Sequence, residues 1–170
     1  MNVNIMPPAT PALDLDRFIP YLVNVLASRL SRELAKVYEA RFGISIPEWR
    51  VVAHLSQHED VSIREIHDRV DMDKAKVSRA AARLEAVGLV EKAVNEDDRR
   101  LVALRLTQKG RRLFGEIEPL ALAYEREALA ALTPEESAAF QSTLGKLIRR
   151  AVAEPSHERS IREKGRAEMT

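Results

Sequence analysis

The spacing of apolar residues predicts a chain made mostly of helices. From Asp14 to about Phe42, apolar side chains recur every three or four residues, which is the repeat of one helix face, and Gly43 is placed to end this helix. Ser45, Ser62 and Asp73 are predicted N-caps of three further helices, because short polar side chains can accept hydrogen bonds from free amides in the first helical turn. The first half of the chain is therefore predicted to hold four helices.

The last two of these helices are short and are joined by about three residues, which makes them a candidate helix-turn-helix. The second of them, after Asp73, is predicted to bury Val77, Ala81, Leu84 and Val87 and to end at Gly88. The runs LVEKAV and LVALRL follow on either side of NEDDRR and predict a β-hairpin with a charged tip.

Two more helices complete the predicted order. One begins at Thr107 and extends to about Leu132, although Gly110 and Pro119 are unfavourable inside a straight helix. The other begins at Thr133, where Thr-Pro-Glu-Glu forms a capping box. The predicted fold class is mainly α (α+β), and Ala and Leu dominate the apolar residues while aromatic residues make up only 5% of the chain.

Composition excludes several kinds of protein. The 170 residues include no cysteine, which excludes disulfides, thiolate metal sites and cysteine nucleophiles. No uncharged apolar run is long enough to span a bilayer and no secretory signal is recognised, so we expect a cytoplasmic protein without a membrane partner. The serines have no suitably spaced His and Asp, and no glycine-rich phosphate loop is present; we therefore expect no enzymatic activity and no cofactor.

Positive charge is concentrated in the middle of the chain. The net charge is only +1, but residues 62–112 contain 13 Lys and Arg against 9 Asp and Glu. This segment includes the candidate helix-turn-helix and the hairpin, so a polyanion is expected to bind there.

The helix after Asp73 has the composition of a DNA-recognition helix. Its apolar stripe leaves cations and small residues on the outer face, which would allow close approach to the major groove. We assign base-edge contacts to Lys76, Ser78 and Arg79 and phosphate contacts to Lys74 and Arg83. Ser62, at the start of the preceding helix, is added to the DNA-contacting set. The alternative is an ordinary solvated helix face.

The hairpin tip supplies a second predicted contact. An arginine at such a tip can enter the minor groove, where narrow A·T-rich segments concentrate negative potential. Asp98 is assigned as a brace for a neighbouring guanidinium, Arg99 as the groove contact and Arg100 as the structural partner, although the two arginines could exchange roles.

The segments VSRAAARLEAVGLVEK, DDRR, LTQKG and PEWRVVAHL together resemble the MarR family of winged helix-turn-helix transcriptional regulators, over roughly residues 15–153. The resemblance implies a homodimer with N- and C-terminal dimerisation helices, a wing that reaches the minor groove and often a small-molecule effector. Two residues depart from the family pattern. Glu96 stands where Pro is common at the wing tip, and Lys76 stands where Ser or Thr is common.

The predicted organisation has four parts. They are a flexible arm (1–13), a helical dimerisation region (14–44 and 107–153), a winged helix-turn-helix DNA-binding domain (45–106) and a polar tail (154–170). The outer helices are more apolar than one small winged domain can bury, which independently favours a dimer, and a two-fold dimer fits a palindromic operator in double-stranded DNA.

A ligand site is predicted near the junction of the first two helices. By resemblance, this junction borders the effector crevice, and Tyr38, Trp49 and His54 are assigned to it, with an aromatic acid or a phenolic compound as the ligand. Core packing explains Trp49 equally well. His54 and His58 have the spacing of a metal pair, but no close third ligand is present, so no metal site is predicted.

The predicted function is that of a sequence-specific transcriptional regulator, a repressor that binds its operator as a homodimer and is released by a small ligand. The alternative is a winged-helix protein-interaction module that has no specific affinity for DNA.

Overall fold

The computed structural model describes residues 13–94 and 102–153. The chain divides into two compact units, Met1–Tyr124 and Glu125–Thr170. The elements, in chain order, are α1 (Ile19–Phe42), α2 (Ile46–Gln57), β1 (Val61–Ser62), α3 (Ile63–Val70), α4 (Lys74–Ala86), β2 (Val90–Val94), β3 (Val102–Leu106), α5 (Gln108–Ala128) and α6 (Pro134–Ala153). No helix among these described ranges is long and apolar enough to cross a bilayer.

Helix α1 begins later than the apolar spacing predicts. The prediction started the helix at Asp14, whereas the structure has a turn there and starts the helix at Ile19. Pro20 lies in the first helical turn, and a helix that continued upstream would bring its ring against the carbonyl of Asp16. The predicted end is confirmed, because Gly43 adopts the left-handed conformation (φ 68°) and its amide donates to the Glu39 carbonyl.

The core of the first unit lies between α2 and α4. Val51, Val52, Val77 and Leu84 are almost completely buried, and Ile66 of α3 joins them. Each such side chain stabilises the fold by about 1.5–3 kcal/mol relative to exposure. Both helices of the helix-turn-helix therefore rest on α2.

The end of α4 differs from the prediction in one residue. Val87 was expected in the buried stripe, but its side chain is 53% exposed. The helix ends at Ala86, and Gly88 (φ 71°) then turns the chain so that Leu89 enters the core in place of Val87.

Within residues 13–94 and 102–153, the sheet has three strands rather than the two of the predicted hairpin. Its order is β1-β3-β2 and all pairs are antiparallel, with Val61 opposite Leu104 and Glu91 opposite Arg105. Strand β1 has only two residues, which is too short to produce an alternation that sequence reasoning could detect. It joins the start of α3 to β3, the central strand of the sheet.

The last two helices follow the predicted order with different bounds. Pro119 lies inside α5 without ending it, but α5 ends at Ala128 and not near Leu132. In the second unit, the Thr133 amide donates to Glu136 Oε2 at 2.8 Å and the Glu136 amide donates to Thr133 Oγ1 at 3.3 Å, which confirms the capping box of α6.

Gly110 has a packing role that its position in the sequence does not reveal. A Cβ at this position would lie 2.1 Å from the carbonyl oxygen of Leu89, which is backbone and cannot rotate away. Gly110 also donates its amide to Thr107 Oγ1 at 3.0 Å. The absence of a side chain therefore allows α5 to pack directly against the chain entering β2.

We expect Gly110→Ala to lower the free energy of unfolding by about 1–3 kcal/mol, because α5 or Leu89 must move to admit the methyl group. Urea unfolding followed by circular dichroism measures the change. Gly115→Ala is the matched control in the same helix, since no atom beyond its chain neighbours and the local helix backbone lies within 4 Å of its added Cβ. This control should raise stability by about 0.5–1 kcal/mol. Equal stability of Gly110→Ala and the parent protein would contradict the packing role.

Candidate nucleic-acid interface

The outer face of α4 is exposed along its whole length, as the sequence predicts. Its buried face consists of Val77, Ala80, Ala81 and Leu84. The exposed positions include both small residues and cations, which are Lys74, Ala75, Lys76, Ser78, Arg79, Ala82 and Arg83. The face is therefore positively charged, and its small side chains leave room for close approach to a groove. A surface that binds a polyanion in a groove needs both properties.

Asp73 fixes the N-terminus of α4. Its Oδ1 accepts the Lys76 amide at 2.8 Å, and its Oδ2 lies 3.3 Å from Lys76 Nζ. The hydrogen bond from the Lys76 amide is the largest cause of a lowered pKa of Asp73. The carboxylate is thus ionised at neutral pH, and it holds both the helix start and the ammonium group of Lys76.

The turn between α3 and α4 is held by His67. Nδ1 of His67 donates to the carbonyl oxygen of Met72, and Met72 is itself buried. Asp71 adopts the left-handed conformation (φ 48°), which reverses the chain at the end of α3. This contact sets where α4 begins relative to α3.

The Ser62 hydroxyl is already engaged in the N-terminal capping box of α3. Its Oγ accepts the Glu65 amide at 3.2 Å, and its hydroxyl donates to Glu65 Oε2 at 2.8 Å. Hydrogen bonds from Ser62, chiefly from its amide, lower the pKa of Glu65. A phosphate that took the Ser62 hydroxyl would have to replace Glu65, so this predicted DNA contact has a structural role as well.

Ion pairs connect the hairpin strands to each other and to neighbouring elements. Arg105 Nε donates to Glu91 Oε1 at 2.8 Å across the β2-β3 register, and Nη1 of Arg105 lies 3.9 Å from Asp60. Lys92 pairs with Glu85 of α4 at 2.8 Å. These exposed pairs contribute little stability individually, but they orient the hairpin base beside α4. The predicted tip residues Asp98, Arg99 and Arg100 lie outside the described residues.

Two of the three predicted ligand residues belong to an aromatic stack. The Trp49 ring lies 5.4 Å from the Tyr38 ring of α1 and 5.9 Å from the Phe114 ring of α5, in stacked orientations. Tyr38 is fully buried, and this burial is the main reason why its pKa is raised to about 12. As it stands, Tyr38 is a core residue, whereas Trp49 is only half-buried and also faces a groove. Phe114 was not anticipated, because nothing local pairs residues 65 positions apart.

That groove has a volume of about 380 Å³ and is formed by α2 with the end of α3. Its lining residues are Trp49, Arg50, Ala53, His54, Gln57, His58 and Val70. The buried Nε2 of His54 has no hydrogen-bond partner among the described residues. Such an atom costs on the order of 1–3 kcal/mol when it is left unpaired.

A second histidine, an arginine and a glutamate lie near His54. The His58 ring lies 4.9 Å away, and Nε2 of His58 is 3.0 Å from Nη1 of Arg69. Burial, followed by His58 and Arg69, lowers the pKa of His54, and Glu65 partly opposes this. Among the described residues, no group of three His, Cys, Asp or Glu could hold a metal ion.

A larger concavity of about 710 Å³ lies beside the end of α4 and includes Arg83, Lys109 and Leu113. Of its two acidic lining residues, Glu39 and Glu48, Glu48 is buried, and Oε2 of Glu48 accepts both the amide and the hydroxyl of Ser45 at 2.6 and 2.7 Å. Glu48 thereby caps α2, as predicted, and its carboxylate is already satisfied.

The chain is similar to known regulators in sequence and in fold. The family model described as MarR family matches residues 42–101. The crystal structure of a MarR/EmrR family transcriptional regulator from Acinetobacter sp. ADP1 is 30% identical, with a TM-score of 0.76, over 84% of this chain and 100% of that chain.

Two curated relatives agree with this. The transcriptional repressor MdtR of Bacillus subtilis is 29% identical over 114 residues, which is 67% of this chain and 73% of MdtR. The transcriptional regulator TtmR of Methylorubrum extorquens is 35% identical over 81 residues, and the match spans 42% of its length. With α4 supported on α2 and a three-stranded sheet beside it, the chain belongs to the MarR family of transcriptional regulators and has their DNA-binding winged helix; it is not an enzyme.

Proposed function

We propose that this regulator is a repressor that binds a palindromic operator as a homodimer and is released by a small ligand. The exposed cationic face of α4 is the observation that carries the proposal. This face is anchored by Asp73 at one end and by the buried stripe along its length. Similarity to the repressor MdtR favours repression over activation.

Helix α4 would lie in the major groove with its small residues toward the base edges. Ser78 lies between the cations Lys76 and Arg79 on this face, and all three are exposed. We assign base-edge contacts to these three residues, and phosphate contacts to Lys74 and Arg83 at the flanks. Arginine can donate two hydrogen bonds to one guanine, so Arg79 is expected to contribute most to sequence preference.

We expect Arg79→Ala to weaken binding to an operator selected from a random duplex library by about 1–3 kcal/mol and to relax preference at one base pair. Fluorescence anisotropy across a salt titration measures both effects. Arg32→Ala on α1 removes the same charge from another exposed site and should leave affinity nearly unchanged. Unchanged affinity and preference in Arg79→Ala would refute the assignment, and the absence of salt-dependent binding in the parent protein would favour a protein-interaction module.

The wing would add a minor-groove contact through Arg99, with Asp98 as the brace and Arg100 as the structural partner. These residues lie outside the described ranges, so the assignment rests on the sequence and on the supporting strands. Arg105 and Lys92 attach those strands to Asp60 and Glu85. The hairpin base is thereby oriented beside α4.

We expect Arg99→Ala to weaken binding most at operators with A·T-rich flanks, because the narrow minor groove there attracts a guanidinium most strongly. Affinities for operators that differ only in their flanks measure this. An equal loss on G·C-rich flanks would reduce Arg99 to a phosphate contact.

The homodimer is supported by the exposed apolar side chains of the first helix. They run along its N-terminal half and the residues before it, and consist of Leu13, Leu15, Phe18, Ile19, Tyr21, Leu22, Val23 and Leu26. A contiguous apolar surface of this kind usually marks an interface. A second copy related by a two-fold axis would cover it and set two α4 helices about one turn of DNA apart.

We expect Leu26→Glu to shift the protein from dimer to monomer in analytical ultracentrifugation, because a carboxylate would be buried in the interface. Operator affinity should fall with it, since two linked recognition helices bind better than one. Val87→Glu is the control for the oligomeric state. Val87 is also an exposed apolar residue but lies at the end of α4, so this variant should remain a dimer. A dimeric Leu26→Glu protein would place the interface elsewhere.

The ligand part of the proposal rests on Tyr38, Trp49 and His54. Trp49 contacts α1 and α5 on its stacked faces and also lines the groove against α3. A ligand that moved Trp49 would therefore disturb both the helical region and the helix-turn-helix. Effector coupling of this kind is typically about 1–3 kcal/mol.

A further inference from the structure

We propose that Asp73 and Lys76, at the start of α4, together recognise one G·C base pair of the operator: the Lys76 ammonium donates to guanine and the Asp73 carboxylate accepts from cytosine. The proposal rests on the operator binding proposed above and deepens it. Lys76 was given there a base-edge contact without a preferred base, and Asp73 was given only the role of a helix cap. The Asp73–Lys76 pair adds a specificity-determining residue and the identity of the base pair.

The two side chains form a pair that is both fixed and accessible. Oδ1 of Asp73 accepts the Lys76 amide at 2.8 Å, and Oδ2 of Asp73 lies 3.3 Å from Lys76 Nζ. The side chain of Lys76 is 59% exposed and that of Asp73 is 53% exposed. They occupy the N-cap and the first turn of α4, and recognition helices contact base edges mainly with their N-terminal residues. The Asp73–Lys76 pair therefore stands where base contacts are made.

Helix capping alone does not require the negative charge of Asp73. Serine and asparagine cap helices about as well as aspartate, because one side-chain oxygen is enough to accept the free amide. The hydrogen bond from the Lys76 amide is the largest cause of the lowered pKa of Asp73, so the carboxylate is ionised and can only accept hydrogen bonds. A negative charge on a surface that approaches phosphates weakens the binding of DNA unless it meets a donor there. Cytosine N4 is such a donor in the major groove.

The spacing within the pair matches the edge of a G·C base pair. In the major groove, guanine presents the acceptors O6 and N7, and cytosine presents the N4 donor. Guanine O6 and cytosine N4 are joined by a base-pair hydrogen bond, so they lie about 2.9 Å apart. Lys76 Nζ and Asp73 Oδ2 are 3.3 Å apart. An ammonium over O6 and a carboxylate over N4 thus meet complementary groups at nearly the same spacing.

An A·T base pair fits these two charges less well. Adenine N6 donates and thymine O4 accepts, so the Asp73–Lys76 pair matches them only in the reverse direction across the groove. In that direction the ammonium reaches O4, and the group beside O4 is the thymine methyl. Over guanine, the same ammonium reaches the two acceptors O6 and N7. The second acceptor favours G·C over A·T, and the direction of the pair distinguishes G·C from C·G.

The position of this base pair in the operator follows from Arg79. Lys76 and Arg79 line one cleft between α4 and the start of α2, and both side chains are exposed. Three residues advance a helix by about 4.5 Å, which is close to the separation of about 3.4 Å between successive bases of one strand. The G·C pair recognised by Asp73 and Lys76 is therefore expected next to the base pair whose preference depends on Arg79.

The experiment measures affinity for the operator selected from a random duplex library and for each of its single-base-pair variants, by fluorescence anisotropy at one salt concentration. The full-length parent protein is compared with Asp73→Asn, Asp73→Ser and Lys76→Met. The parent should prefer G·C by about tenfold or more at the base pair next to the one that Arg79→Ala relaxes.

The three variants should lose this preference for different reasons. In Asp73→Asn, the side-chain oxygen keeps the cap and the amide NH2 takes the place of Oδ2, so a donor faces the cytosine donor. Asp73→Ser keeps the cap and places no group over the base. Lys76→Met keeps most of the side-chain length but loses the ammonium. The double variant Asp73→Asn/Lys76→Met should lose no more preference at this position than either single variant, because the two side chains act as a unit.

Affinity for a non-specific duplex separates base recognition from helix capping. Asp73→Asn and Asp73→Ser remove a negative charge, so they should bind non-specific DNA at least as tightly as the parent protein while binding the operator more weakly. A capping role alone would weaken both kinds of binding together, because the whole start of α4 would be displaced.

Glu33 and Lys36 of α1 supply the matched control. They form an exposed ion pair with the same spacing of three residues, and Lys36 Nζ lies 2.7 Å from Glu33 Oε2. Glu33→Gln and Lys36→Met make the same changes of charge on another helix. Both variants should leave the base preference unchanged at every position of the operator.

The outcomes distinguish failure of the pair from failure of the proposed function. Selection of A·T at the base pair next to the Arg79-dependent one would overturn the pair and leave operator binding intact. So would an unchanged preference in Asp73→Asn and Asp73→Ser, or an equal loss of operator and non-specific binding in both variants. Absence of sequence-specific, salt-dependent binding by the parent protein would refute the proposed function and the pair with it.

Discussion

The packing of α4 against α2 is the interaction on which the rest of the structure depends. Val77 and Leu84 of α4 meet Val51 and Val52 of α2 in a core that excludes water almost completely. Because 3.6 residues make a turn, burying this stripe leaves the cations of α4 on the opposite side. Apolar burial thus sets the direction in which the side chains proposed to contact DNA point, although none of those side chains contributes to the core.

Local contacts at helix ends and turns fix positions that the apolar core alone does not fix. Asp73 fixes the first turn of α4, His67 holds the preceding turn through Met72, and Gly110 lets α5 approach the chain at Leu89. Each contact contributes only modestly to the stability of the fold, but each fixes the position of a helix end or turn that apolar packing alone does not fix. Trp49 has a related position, since it stacks on α1 and α5 and lines the groove beside α3.

Much of the fold and part of the site could be predicted because their signals are local. The capping boxes, Gly43 and the apolar stripe of α4 depend on residues within one or two helical turns. One of the motifs that carry the family resemblance lies in α4 itself. The start of α1, the exposure of Val87 and the strand β1 were not predicted correctly. In these cases a proline ring, a left-handed glycine and a pairing with a distant strand override the local pattern.

The sequence by itself determined the order of the helices, the face of α4 that meets solvent and the location of positive charge, because periodicity and caps act over short distances. Only the tertiary structure decided that Tyr38 is a core residue and that Nε2 of His54 is buried without a hydrogen-bond partner among the described residues. These properties depend on residues brought together from separate helices, such as Arg69 of α3 and Phe114 of α5. Burial and charge at one atom are sums over all such neighbours, and one-dimensional spacing does not contain them.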